Sequence, residues 1–417
     1  MALARGGLIA ALDVGTTKVC CFIARIETPG HPRVIGIGHQ ISKGMRAGSV
    51  VDMEATELSI RAAVDAAERM AGEQIREVFV NLSAGLPDSQ TFGVDVPISG
   101  HEVGDHDIRR VLDLGRSRGD TPADREIIHA IPVGYTIDGS RGIRDPRGMF
   151  GDLLGVDMHV VTAAAGPVRN LSVCVARGHL RIASMVMSPY ASGLATLVED
   201  EMDLGITLID LGGGSTSMAV FYDGSLIHSG AIPIGGVHVT NDIARGLLTP
   251  TTHAERMKTL YGSAMPSVSD DRDFIDVPQV GEAEHEAPNH VPRSLLNAII
   301  RPRIEETLEL VRAHLKESGF DQIGGRKIVL TGGGSQLQGV GELASMILDK
   351  QVRIGRPIRL GGLAEAAGGP AFATCAGLVA YAARGPVEAA LGAQRVTDEE
   401  TGRGPFGKLG RWLKANF

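Results

Sequence analysis

The sequence predicts an α/β protein of two domains, and three observations carry that expectation. The chain is 417 residues long, beyond the size at which one hydrophobic core stops growing. Glycine is abundant at 55 residues while aromatics make up only 4%, a balance that favours tight turns between strands and helices over a β-sandwich. Two segments of one design, "LIAALDVGTTKVCCFIA" and "ITLIDLGGGSTSMAVFYDG", stand one in each half of the chain.

Composition narrows the class. Apolar residues make up 43% and charged residues 22%, ordinary globular usage with ample material for a core. Net charge is −8, with no long Lys/Arg run outside the last residues, so the electrostatic footprint of a nucleic-acid binder is missing and no nucleic acid is expected as partner. Cys20, Cys21, Cys174 and Cys375 form no CxxC pair and read as reduced thiols packed as small hydrophobes. The apolar stretch before Asp13 is too short for a signal peptide, and no run of 18 apolar residues exists; a cytoplasmic protein is expected.

Each of the two repeated segments is a β-rich apolar run, an Asp, an apolar residue, a glycine turn bearing hydroxyls, and a second β-rich run. That is a β-hairpin whose turn glycine makes cheaply. One such hairpin is weak evidence, because any hairpin can carry Gly and Ser; two of the same design are internal symmetry. Turn amides at Gly15, Thr16 and Thr17, and at Gly212, Gly213, Gly214 and Ser215, can point inward as an anion-binding nest, which suits a triphosphate. Carboxylates beside phosphates need a cation between them. Asp13 and Asp210 therefore imply Mg²⁺, held through its water shell because it dehydrates reluctantly. Lys18 adds a point charge for phosphates. The Walker A pattern is absent, so a P-loop NTPase is excluded.

A third segment, "KIVLTGGGSQLQGVGELA", reads as a buried strand, a turn at Gly332, Gly333 and Gly334, and a helix opening near Ser335. Nucleotides bind at such carboxyl ends of strands in open α/β sheets. In this order, the three segments resemble the phosphate-1, phosphate-2 and adenosine motifs of the actin, hexokinase and Hsp70 superfamily. The resemblance implies an actin-like ATPase fold, two domains around a nucleotide cleft, with ATP and Mg²⁺ as ligands.

Further stretches narrow the superfamily. "SPYASGLATLVEDEMDLG" looks like the helix connecting the halves, "GAIPIGGVHVTNDIARGL" like the strand and helix leading into an insertion of the second domain, and "AFATCAGLVAYAA" like the returning connecting helix. With "IRPRIEETLELVRAHL" and a basic amphipathic end, these resemble the FtsA family of bacterial cell-division proteins over nearly the whole chain. "EIIHAIPVGYTIDG" and "DPRGMFGDLLGVDMHVVTA" are similar to that family's relocated subdomain 1C, which implies self-association and contacts with later division proteins. On that resemblance the chain divides into 1–83 (first part of domain 1A), 84–162 (1C), 163–204 (1A continued and connecting helix), 205–236 (2A), 237–326 (2B), 327–370 (2A), 371–386 (connecting helix), 387–403 (linker) and 404–417 (amphipathic helix).

Where many kinases and chaperones of the superfamily carry an acidic residue before proline, this chain has Ser188 before Pro189. A general base is not evident, so slow hydrolysis or none is expected, with nucleotide acting as a conformational ligand. The stretch "GSAMPSVSDDRDFIDVPQVGEAEHEAPNHVPRS" is acidic and rich in Pro and Ser, a composition that reads as a mobile surface loop. The resemblance implies that the surrounding subdomain 2B receives the C-terminal peptide of the tubulin-like protein FtsZ.

The chain ends in "GPFGKLGRWLKANF" after the polar, Gly-containing "LGAQRVTDEETGRGPFG", a tether by composition. On a helical wheel Phe406, Leu409, Leu413 and Phe417 cluster, Lys408, Arg411 and Lys414 lie on the other side, and Trp412 sits between, the pattern of an interfacial helix on anionic lipid. A C-terminal helix docked on its own domain is the plainer alternative. Burying four large apolar side chains is worth roughly 6–12 kcal/mol at most, and each cation adds about 1 kcal/mol near anionic lipid. Ordering the free segment costs about 1–2 kcal/mol per residue, so one copy should bind weakly and several copies in a filament firmly. The expected function is an ATP-binding protein that polymerises on the inner face of the cytoplasmic membrane at the division site and tethers FtsZ filaments there. A pilus-assembly actin homologue and a small-molecule kinase of the same superfamily are the alternatives.

Overall fold

A computed structural model of the chain describes residues 7–385 except 29, 119–120, 282–288 and 359. The expected linker and the amphipathic segment bearing Phe406, Lys408, Leu409, Arg411, Trp412, Leu413, Lys414 and Phe417 lie outside the described residues.

The first half opens with a meander, β1 (Leu8–Val14), β2 (Lys18–Thr28) and β3 (His31–Ile41), followed by a small pair, β4 (Met45–Arg46) and β5 (Ser49–Val50). Helix α1 (Met53–Ala71) starts where the Asp52 carboxylate accepts the Ala55 amide at 3.0 Å and stops at Gly72 in the left-handed region, both strong boundary signals. Its Ile60, Ala63, Val64 and Ala67 recur at helical spacing and are buried against the sheet. Strand β6 (Glu77–Leu82) then pairs parallel to β1.

Between β6 and the last strand of this sheet the chain builds a separate layer. It comprises β7 (Asp88–Pro97), α2 (Asp105–Ser117), β8 (Arg125–Ile137), β9 (Ser140–Ile143) and β10 (Leu153–Ala164), with sheet order β7-β10-β8-β9. Its own core includes Val94, Val111, Leu154, Val156 and Met158. Helix α3 (Ala165–Arg177) and β11 (Arg181–Met187) return the chain to the first sheet.

Helix α4 (Ser188–Thr196) and α5 (Glu199–Leu204) lead into the second half. The stretch expected as one connecting helix is thus two, broken where Leu197 and Val198 turn extended. The second sheet begins with another meander, β12 (Ile206–Leu211), β13 (Thr216–Tyr222) and β14 (Ser225–Ile232). There follow α6 (Gly236–Gly246), α7 (Thr251–Tyr261), β15 (Phe274–Val277), β16 (Asn289–Pro292), α8 (Arg293–Glu317), β17 (Lys327–Thr331), α9 (Val340–Leu348), β18 (Gln351–Ile354) and α10 (Ala373–Arg384).

The two large sheets share one topology. The first runs β11-β6-β1-β2-β3 and the second β18-β17-β12-β13-β14. In each, an antiparallel meander supplies three strands and two later strands add in parallel beside the first. The glycine hairpins are the opening turns of the two meanders, so the sequence symmetry is a symmetry of the fold.

Two expectations need correction. The 262–294 stretch, expected as a mobile surface loop, carries a strand pair among its described residues: Ile275, Val277 and Val291 alternate on the β15–β16 pair and are buried in the second-half core. Asp270, itself buried, accepts the Asn297 side-chain amide at 2.9 Å and the Ser267 amide at 2.8 Å. Few apolar residues suffice there because Ile275, Val277 and Val291 face inward, while Val268, Phe274 and Val280 are exposed. The helix expected to open near Ser335 starts at Val340; residues Gly333–Gln336 form a 3₁₀ turn, and Leu337 extended and Gly339 at φ 75° separate the two.

The inserted layer also reaches the second half. Ser89 Oγ on β7 accepts the Ser229 amide at 3.0 Å and lies 3.2 Å from His228 Nδ1 on β14. At the rim, Arg144 Nη2 donates to Asp223 Oδ1 at 2.6 Å, an exposed pair of small energetic weight.

Candidate functional site

The two hairpin turns face each other at the mouth of one cavity of about 610 Å³, within the range of roughly 300–1,000 Å³ typical of small-molecule sites. Asp13 pairs in register with Cys20, and Asp210 with Ser217, each two residues before its glycine turn. In both turns the glycine amide donates back across the hairpin, Gly15 to the Lys18 carbonyl at 2.9 Å and Gly212 to the Ser215 carbonyl at 3.0 Å. Among the described residues no backbone carbonyl takes the amides of Thr16, Thr17, Gly213 or Gly214. Free amides at paired turns are donors for an anion.

The turns touch. A Cβ on Gly213 would stand 2.6 Å from Thr17 Cγ2, and one on Gly214 would stand 2.3 Å from Thr16 Oγ1. Glycine is required at these two positions by the approach of the other half of the molecule. The strand-end turn from β17 joins them: Gly332, Gly333 and Gly334 line the same cavity.

Of the fourteen nucleotide-site residues expected from sequence, the cavity is lined by Asp13, Gly15, Thr16, Thr17, Lys18, Asp210, Gly212, Gly213, Gly214, Ser215, Gly332, Gly333 and Gly334. Ser335 is the exception. It is buried, and its hydroxyl donates to the Gly332 carbonyl at 2.8 Å, so it pins the turn from behind.

Both carboxylates are buried, and burial raises both pKa values. Asp13 is pushed up to about 6; the Lys18 ammonium pulls it down and the Asp210 charge pushes it up. Asp210 is raised by burial against the opposing pull of hydrogen bonds from Ser192 and Thr374 and of the Lys18 charge. Two buried oxygen-donor groups within electrostatic reach of each other suit a hard cation such as Mg²⁺. Among the described residues no group of three or more His, Cys, Asp or Glu side chains could hold a metal, so such an ion would draw most of its shell from water and phosphate. Lys18 is less free than the sequence implied: its Nζ donates to the Ala371 carbonyl and sits 3.6 Å from the centroid of the Phe372 ring.

Sequence reasoning missed the far wall. Glu255 and Lys258 on α7 line the cavity, with Lys258 Nζ donating to Glu255 Oε2 at 2.7 Å and to Thr240 Oγ1 at 2.8 Å. Leu260, Ile304 and Leu337 supply apolar surface there. The i, i+3 spacing of Glu255 and Lys258 is that of any solvated helix face, so only the fold separates them from the many other charged pairs. Ser188 also lines the cavity; it lies 2.6 Å from Ser83 Oγ and accepts the Asn81 side-chain amide at 3.1 Å.

Comparison with known proteins places this geometry. Residues 207–377 match the family model "Cell division protein FtsA", and residues 85–162 match "SHS2 domain inserted in FTSA". The Cell division protein FtsA of Rhizobium meliloti is 47% identical over 423 residues, covering 99% of this chain and 96% of that protein. Among solved structures, a PilM–PilN type IV pilus biogenesis complex aligns with a TM-score of 0.63 at 18% identity, over 92% of this chain and 100% of the other. MreB5 of Spiroplasma citri bound to ADP aligns with a TM-score of 0.52 at 14% identity, over 91% and 96%. These structural likenesses establish an actin-like ATPase fold. The chain, matched end to end by its relatives and carrying the inserted layer where their family model has it, belongs to the FtsA family of cell division proteins.

Proposed function

We propose that this chain is a nucleotide-dependent adaptor of cell division, binding ATP with Mg²⁺ between its two halves and tethering FtsZ filaments to the cytoplasmic face of the membrane. The observation that carries it is the convergence of two symmetry-related glycine turns, with free amides and a buried carboxylate each, on one cavity. The turn amides and Lys18 would take phosphate oxygens. Asp13 and Asp210 would hold the waters of Mg²⁺, which neutralises the phosphates when bound. Glu255 and Lys258 offer partners for ribose hydroxyls, and Leu260, Ile304 and Leu337 a surface for the base.

Nucleotide acts here as a clamp more than a substrate. The position that would carry a water-activating carboxylate is Ser188, whose hydroxyl donates to the Leu82 carbonyl at 3.2 Å. A ligand that contacts both turns favours the closed arrangement over any open one, and closure sets the shape that copies of the chain present to each other in a filament. The inserted layer would serve self-association and later division proteins, and the folded part of 237–326 the FtsZ C-terminal peptide.

Among the described residues no helix is long and apolar enough to cross a membrane; attachment is assigned to the amphipathic segment 404–417 on its sequence pattern. A small-molecule kinase would need a base carboxylate facing a second substrate, and Ser188 does not provide it. Isothermal titration of the full chain with ATP tests the nucleotide part: one site is expected with Mg²⁺ and much weaker binding in EDTA. An absence of binding under both conditions would remove the clamp and leave a fold without its ligand.

A further inference from the structure

Asp210 is held by the two helices that connect the halves of the molecule. Its Oδ2 accepts from Ser192 Oγ on α4 at 2.7 Å and from Thr374 Oγ1 on α10 at 3.2 Å, and the two hydroxyls are 2.9 Å apart. All three residues are buried. Two hydroxyl protons serve three short contacts, and either hydroxyl can donate in the Ser192–Thr374 contact, so the two side chains and the carboxylate form one shared network in which at least one proton is directed to Oδ2.

These hydroxyls sit at a crossing. A Cβ on Gly377 of α10 would stand 1.7 Å from the Ala191 carbonyl oxygen of α4, so the helices meet backbone to backbone one residue before Ser192 and one turn after Thr374. Helix α4 issues from the first sheet and leads to the second, and α10 returns from the second sheet to pack on β1, β2 and β6. Any rotation of one half against the other passes through this contact. It would therefore move two donors relative to one acceptor.

We propose that Ser192 and Thr374 are positioning residues that tie the Asp210 carboxylate to the helix crossing, so that its grip on a hydrated Mg²⁺ depends on how the two halves are set. This rests on the Mg²⁺-nucleotide reading of the cavity. The chemistry is direct. Hydrogen bonds to the ionised form offset the cost of burying the charge, and with Oδ2 engaged, Oδ1 is left for the ion's water shell.

The test is equilibrium binding of a fluorescent ATP analogue to the full chain, in Mg²⁺ and in EDTA, for the unaltered protein, Ser192→Ala, Thr374→Val and Thr374→Ser. Ser192→Ala is expected to weaken Mg²⁺-supported binding about tenfold, as loss of a hydrogen bond to a charged group does, with binding in EDTA unchanged. Thr374→Val should weaken it less, and Thr374→Ser should restore it. Equal weakening in both conditions, or no change in variants that melt cooperatively, would overturn the proposal while leaving the nucleotide site standing. An unaltered chain that binds no better with Mg²⁺ would overturn both.

Discussion

Thr17 and Gly213 meet across the cleft, with room for no further carbon: a Cβ added to Gly213 would lie 2.6 Å from Thr17 Cγ2 and 2.7 Å from its hydroxyl. The contact is between the turns of two hairpins that occupy equivalent places in two sheets of identical topology. Gly213→Ala should hold the turns apart. Overpacking of this kind costs about 1–3 kcal/mol, and because it acts only on the closed arrangement the loss should appear in ATP affinity, roughly tenfold, with little change in the melting temperature of the unliganded protein. Titration calorimetry beside thermal melting separates the two.

Asp13 gives a pH-dependent prediction with a definite sign. Burial raises its pKa to about 6, so above that pH the protein carries a buried charge that costs stability, on the order of 2–3 kcal/mol. As pH falls through 6 toward the ordinary carboxylate range the cost is relieved. Asp13→Asn should therefore stabilise the unliganded protein at neutral pH, have little effect near pH 4, and abolish the gain in ATP binding that Mg²⁺ brings. Melting curves in EDTA across pH 4–8 check the first part, and a Mg²⁺ titration the second.

The seam between the inserted layer and β14 titrates in the opposite sense. His228 stacks on Phe320 with ring centroids 4.7 Å apart and has His314 at 5.4 Å; burial first and His314 second lower its pKa to about 4. His159, bonded to Thr91 at 2.9 Å, is lowered to about 3 by burial, then by His228 and His129. A depressed histidine contributes stability that is whole above its unfolded pKa near 6.5 and is lost as pH falls through its folded value. Acid should therefore loosen this seam. Because the Asp13 effect overlaps the same window, the measurement belongs in the Asp13→Asn background, where His228→Leu should reduce the loss of stability between pH 6.5 and 4 by about 3 kcal/mol at most and leave the share that His159 contributes.

The contact between Ser89 and the His228–Ser229 pair links a layer inserted in the first half to the second half. Ser89→Ala leaves the buried Ser229 amide without its acceptor, at a cost of about 1–3 kcal/mol. Hydrogen exchange should show the increase concentrated in β7 and β14, with the hairpins unaffected.

The symmetric hairpins were legible in the sequence because an Asp two residues ahead of a glycine turn recurs in both halves, and that spacing survives as text. The lining by Gly332, Gly333 and Gly334 was legible because a glycine run directly follows a short apolar strand, Lys327–Thr331. The Ser192–Thr374 pair was not, since two hydroxyls on apolar helices 182 positions apart look like ordinary core residues until the helices cross. Nor was the cluster of His159, His228 and His314, which comes from three separate elements and has no local pattern. The β15–β16 pair was hidden by composition, because three inward-facing side chains carry what an average over the segment dilutes.

Co-sedimentation with anionic vesicles tests the adaptor function most directly, comparing the full chain with one ending at Gly404, each with and without Mg²⁺-ATP and with FtsZ in solution. Only the full chain should pellet, ATP should strengthen its binding, and FtsZ should follow it into the pellet. If both forms stay in solution whatever the nucleotide, or if FtsZ remains behind when the full chain pellets, the tethering role is contradicted.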